Sequence, residues 1–118
     1  ETYRAAYEQN GNRLKLGSVV WHRVSVDPPL AIANAITQKH YGRDPNVRYV
    51  DYEAVASCFR TIGEVARRHR LPVHYPQIGA GLGNGDWPTI AAIIERELAG
   101  VEHTLWTLPA AVARPPRP

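Results

Sequence analysis

The sequence predicts an α/β fold in three layers, with a mixed sheet containing parallel βαβ units between helices. Two observations lead there. From Leu30 to Leu108, short apolar or alternating runs of strand length exchange with longer runs whose apolar residues recur at three- and four-residue steps, giving strand, helix, strand, helix, strand. The stretch Pro76-Gln-Ile-Gly-Ala-Gly-Leu-Gly-Asn-Gly-Asp-Trp then marks a place where an apolar run stops, four glycines alternate and a helical pattern begins. Successive βαβ units imply right-handed parallel connections, and in such sheets ligands bind beyond the carboxyl ends of the strands.

Taken in order, Glu1 to Asn10 carries Tyr3, Ala6 and Tyr7 at helical spacing and runs into Asn10-Gly-Asn, a helical stop. Ser18 to Val24 alternates with period two and has strand composition. Asp27-Pro-Pro breaks the chain, and Leu30 to Thr37 resumes as a nearly continuous apolar run, the pattern of a strand buried on both faces. Gln38 to Tyr49, with Gly42, Pro45 and Asn46, reads as a loop. Asp51 is placed to cap a helix over Tyr52 to His69, whose stripe is Val55, Phe59, Ile62, Val65 and Ala66. Leu71 to Ile78 is the next strand, and Trp87 to Leu98 the next helix, with Ile90, Ile93, Ile94 and Leu98 inward and Gly100 at its end. His103 to Leu108 closes the set. Residues 1–108 are thus expected to form one domain, and 109–118, ending Arg-Pro-Pro-Arg-Pro, a disordered tail.

A chain of 118 residues, 44% hydrophobic, can build one real core. The net charge of +3 is spread over the helix end Arg67, Arg68 and Arg70 and the tail Arg114 and Arg117, too diffuse to indicate a nucleic-acid partner. The single cysteine, Cys58, excludes an internal disulfide framework and reads as a small buried residue. The five histidines show no paired metal spacing, so no metal and no cofactor is expected. His22 and His74 fall inside strands as structural residues, whereas His40 and Tyr41 sit at the sheet's functional edge. No apolar run approaches a membrane span and no signal peptide opens the chain, which points to a cytoplasmic protein.

The glycine stretch reads as an anion-binding loop. Gly79, Gly81, Gly83 and Gly85 lack a Cβ, so backbone N–H groups can approach a ligand closely, and the following helix aims its N-terminus at whatever the loop holds. A dinucleotide fingerprint fails on spacing, because Asn84 or Asp86 stands where the third glycine would be. The remaining alternative is a turn that merely joins strand to helix.

Together with the helix Pro88 to Leu98 and the strand Thr104-Leu-Trp-Thr-Leu108, this loop resembles the C-terminal half of a macrodomain, the ADP-ribose-binding fold. It is most similar to the branch containing terminal ADP-ribose protein glycohydrolase and its bacterial relatives. Ile32-Ala-Asn-Ala-Ile-Thr-Gln-Lys and Arg48-Tyr-Val-Asp-Tyr-Glu-Ala-Val resemble the corresponding strand and helix opening of that branch. The resemblance implies that Gln77, Ile78, Gly79, Ala80, Gly81, Leu82 and Gly83 line the phosphate and distal-ribose side of ADP-ribose, with Leu108 nearby. It also implies ADP-ribose or ADP-ribosylated proteins as partners.

The sequence departs from that branch at three places. Gln38 stands where the human-type hydrolases carry a lysine nucleophile, with Lys39 one position later, and Gly83 stands where they carry an aspartate. The nearest acid is Asp86, which can equally be the N-cap of the next helix. Macrodomains also begin with strands that face adenine and the distal ribose; the chain opens at Glu1 without methionine, so an N-terminal segment of the same domain is expected to be required. The expected function is hydrolysis of an ADP-ribosyl ester to acidic protein side chains, with Gln38 or Asp86 positioning water. The alternatives are a non-catalytic ADP-ribose-binding module and a phosphatase acting on ADP-ribose phosphate.

Overall fold

The computed structural model describes residues 15–40, 42–81 and 83–107. The proposed N-terminal helix, the tail 109–118, Tyr41, Leu82 and Leu108 lie outside them. Strands β1 (Val19–Ser25) and β2 (Leu30–Ala35) lead to helix α1 (Tyr52–His69). Strand β3 (Val73–Tyr75), helix α2 (Trp87–Glu97) and strand β4 (His103–Leu105) follow.

Helix α1 forms where the apolar stripe predicts it. Asp51 is extended at φ −103° and its Oδ1 accepts the Ala54 N–H at 3.0 Å, satisfying a donor that the first turn leaves over. At the other end Arg70 turns left-handed at φ 55° and its N–H bonds to the Ala66 carbonyl, stopping the helix. Asp86 caps α2 in the same way, with Pro88 in its first turn, where a missing N–H costs nothing.

The two helices pack on each other, and α1 also covers β1 and β2. Val50, Val55, Phe59, Ile62, Ile90, Ile94 and Leu98 form the buried core, with Val19, Trp21, Ala33, Val73 and Tyr75 packed at its margin. Each large member contributes about 1.5–3 kcal/mol by leaving water. The Phe59 ring meets Tyr75 edge-on at 5.7 Å, and Tyr75 Oη lies 2.8 Å from His103 Nδ1, which ties both parallel strands to α1.

Three expectations are corrected. β1 and β2 pair antiparallel, from Val19 with Ala35 to Ser25 with Leu30, while β3 and β4 pair parallel as a separate two-stranded sheet. Only the second βαβ unit therefore carries a parallel ladder among the described residues. β2 is not buried on both faces: Leu30 is 55% exposed and Ile32 51%, because the core covers only the hairpin face that carries Trp21 and Ala33. The strand expected over Leu71 to Ile78 shrinks to three residues between Pro72 and Pro76, each lacking the N–H a ladder needs.

Cys58 is fully buried, its Sγ 3.4 Å from the Ser18 carbonyl oxygen. Burial pushes its thiol from 9.0 up to about 11, with an opposing hydrogen bond to the Ile36 carbonyl. The native protein is accordingly expected to resist iodoacetamide at pH 8 and to be alkylated only after unfolding; rapid native alkylation would contradict the buried placement. The stability this neutral thiol contributes is complete below pH 9 and lost as pH rises through about 11. No described helix is long and apolar enough to cross a membrane.

Candidate functional site

Beyond β3 the chain folds back on itself. The Gly85 N–H donates to the Gly79 carbonyl at 2.8 Å and the Asn84 N–H to the Gly81 carbonyl at 3.0 Å, so residues 83–85 fold back onto 79–81. Gly79 takes φ +77°, and a Cβ there would lie 2.7 Å from Val50 Cγ2. At Gly85 a Cβ would lie 2.6 Å from Val50 Cγ1, 2.7 Å from Ile90 Cδ1 and 2.8 Å from the Gly79 carbonyl oxygen. At Gly83 it would lie 2.7 Å from that same oxygen. Gly79 and Gly85 let the loop sit directly on Val50 and Ile90, while Gly83 lets it close on its own backbone at Gly79 and on Gln38.

Gly81 differs. It is exposed, it does not take a positive φ, and a Cβ built on it meets nothing within 4 Å. Among the described residues, neither backbone conformation nor packing accounts for glycine at position 81.

The segment after β2 is brought against the loop. Gln38 bridges antiparallel to Val50, the Thr37 carbonyl accepts the Asp51 N–H at 2.7 Å, and the Gly83 carbonyl accepts the N–H groups of Tyr49 at 2.8 Å and Val50 at 3.0 Å. Gln38 Oε1 would be only 3.2 Å from a Cβ at Gly83. The two positions where the resembling enzymes carry lysine and aspartate are therefore neighbours here, occupied by an amide and a glycine. Gln38 Nε2 donates to the His40 carbonyl at 3.1 Å.

Asp86 stands at the start of α2. Its Oδ2 accepts the Thr89 N–H at 3.2 Å and the Thr89 hydroxyl at 2.6 Å, and Oδ1 accepts from neither. The Asp86 N–H donates to Tyr52 Oη at 2.9 Å, linking the first turns of both helices, and the Arg48 guanidinium lies 4.2 Å from the centre of the Tyr52 ring. Two helix N-termini, each capped by an aspartate, thus meet at one edge of the loop.

Of the expected site residues, Gln38 and Gly83 are neighbours, Asp86 stands at the start of α2 bonded to Thr89 and Tyr52, and Gln77, Ile78, Gly79, Ala80 and Gly81 belong to the segment that leads into the loop. His40 is exposed beside Gln38 and is met through its carbonyl, while His74, at the other sheet, accepts the Trp106 indole N–H at 2.9 Å. Sequence reasoning passed over Asn84, Tyr49 and Tyr52. For Asn84 a signal existed: asparagine between two glycines is a residue that tolerates left-handed backbone, and it takes φ 57°. Among the described residues no group of His, Cys, Asp and Glu could hold a metal ion.

No family model matches the chain, and no curated protein does. Solved structures do. A protein of unknown function from Bacteroides thetaiotaomicron is 27% identical with a TM-score of 0.76, over 87% of this chain and 66% of that one. A macrodomain protein from Streptomyces coelicolor is 28% identical with a TM-score of 0.69, over 91% of this chain and 68% of that one. The macrodomain of Thermus aquaticus DarG, at 24% identity, matches in fold with a TM-score of 0.65, over 90% of this chain and 71% of that one. In fold, the chain is similar to the macrodomains. It spans about two thirds of the length of the structures it matches.

Proposed function

We propose that the chain binds ADP-ribose with its diphosphate over Gly81 and hydrolyses ADP-ribosyl bonds, specifically the ester to acidic side chains of proteins, as in the branch around terminal ADP-ribose protein glycohydrolase. The observation that carries this reading is Gly81, a glycine that packing among the described residues does not require, in a loop beside two helix N-termini. A phosphate oxygen accepting loop N–H groups at about 2.9 Å needs that side of the backbone bare.

Hydrolysis here runs without a covalent intermediate on lysine, since Gln38 offers no amine. Either Gln38 Oε1, beside Gly83, or Asp86 Oδ1, which accepts no bond from Thr89, orients the attacking water. Water adds across the ester, releasing a free carboxylate and ADP-ribose. A binding module without catalysis is the second reading, favoured by the two Thr89 hydrogen bonds that engage Asp86.

Incubating the full-length protein with a protein carrying ester-linked ADP-ribose separates the readings. The expected result is release of ADP-ribose that falls to background in Gly81→Trp and drops about a hundredfold in Gln38→Ala. ADP-ribose binding with no release would contradict hydrolysis and leave the binding module, and phosphate release from ADP-ribose phosphate would select the phosphatase instead.

A further inference from the structure

We infer that Asn84 is a positioning residue of this site: its side-chain amide fastens the Asp44–Val47 turn to the glycine loop and so fixes the wall against which the ligand is held. The inference rests on the ADP-ribose reading of the loop. Asn84 Nδ2 donates to the carbonyl oxygens of Asp44 at 2.9 Å and Val47 at 2.7 Å. Two carbonyl acceptors engage both protons of the amide and fix its orientation.

The turn it holds is bonded within itself. The Val47 N–H donates to the Asp44 carbonyl at 3.1 Å, the Asn46 N–H to Asp44 Oδ1 at 2.9 Å, and the Asp44 N–H to Tyr49 Oη at 3.3 Å. It therefore moves as a unit. All residues from Arg43 to Arg48 are exposed, so apolar burial does not anchor it, and Val47 keeps 40% of its surface in water. Among the described residues, it is anchored by the Asn84 amide and, next along the chain, by the Gly83 carbonyl that takes the N–H groups of Tyr49 and Val50 and by Arg48 over the Tyr52 ring.

Asn84 is one hydrogen bond from Gly81, through its own N–H to the Gly81 carbonyl. A loosened turn therefore loosens the crest of the loop. Arg43 and Arg48 flank the turn in sequence and Asp44 lies inside it, a net positive balance that suits an anionic ligand.

Two variants remove the fastening differently. Asn84→Gly keeps the left-handed backbone and deletes both donors, whereas Asn84→Asp keeps the shape and turns a carboxylate toward two carbonyls. In calorimetric titration of ADP-ribose into the full-length protein, each variant is expected to weaken Kd about tenfold at unchanged stoichiometry, the value of the lost hydrogen bonds. A purely structural role would lower the fraction of competent protein, hence the stoichiometry, and leave Kd unchanged; that result overturns the inference. Trypsin cleavage after Arg43 and Arg48 reads the clamp without ligand and should quicken in both variants, unchanged rates counting against it. Absence of ADP-ribose binding by the wild type overturns the reading of the site instead, and the cleavage rates still decide whether Asn84 holds the turn.

Discussion

In Gly85→Val the protein is expected to lose about 3 kcal/mol of stability or more, the cost of forcing side-chain atoms into a packed interior. For a domain of this size that corresponds to a fall in Tm of about 10–20 °C. The cause is local and specific. A Cβ at position 85 would stand 2.6 Å from Val50 Cγ1, 2.7 Å from Ile90 Cδ1 and 2.8 Å from the Gly79 carbonyl oxygen. Val50 is 1% exposed and Ile90 fully buried, so neither can retreat without opening the core, and the carbonyl belongs to the backbone that closes the loop. Gly85→Ala should show a smaller loss, and adding Val50→Ala should recover part of it by removing the nearest methyl group. Chemical denaturation of the four proteins checks this. A Gly85→Val transition coincident with wild type would mean that the loop does not rest on Val50 and Ile90.

Gly81→Trp should do the opposite, abolishing ligand binding while sparing the fold. A Cβ at Gly81 meets nothing within 4 Å and the position is exposed, so the change in stability should stay within about 0.5 kcal/mol, as for ordinary surface substitutions. The indole instead occupies the space where a phosphate would reach the loop N–H groups. Losing that approach is expected to weaken ADP-ribose binding by at least about a hundredfold, or 2.7 kcal/mol. Thermal unfolding with and without ADP-ribose separates the two effects: both proteins should melt together alone, and only wild type should be stabilised by the ligand. A tryptophan variant stabilised as strongly as wild type would place the ligand elsewhere.

The contrast between these two glycines was not legible in the sequence. Gly79, Gly81, Gly83 and Gly85 alternate identically along the chain. What separates them is Val50 and Ile90, which arrive beneath the loop from a distant segment and from the next helix, and no local pattern announces such a meeting. Helix α1 was legible in full, since Asp51 supplies a cap and Val55, Phe59, Ile62 and Ala66 a stripe that needs no tertiary information. β2 misled because Leu30, Ala31, Ile32 and Ala33 form a continuous apolar run, which resembles a central strand; it is the partner of β1 in a hairpin with one face on the core.

The site was legible in part. The loop and its helix were visible as a glycine cluster between apolar patterns, and Gln38 and Asp86 as departures from a resembling family. Asp86 reads as both cap and site residue from the sequence, and its two bonds from Thr89 show the cap role realised. The neighbourhood of Gln38 and Gly83 could not be read, because it depends on the bridge from Gln38 to Val50 and on the Gly83 carbonyl taking two N–H groups across the loop.

The most direct measurement is calorimetric titration of ADP-ribose into the full-length protein and its Gly81→Trp variant side by side. One site of micromolar Kd in the wild type and no measurable heat in the variant is the predicted pair of results. No binding by the wild type, or equal binding by both, would contradict the assignment of the glycine loop as the ADP-ribose site.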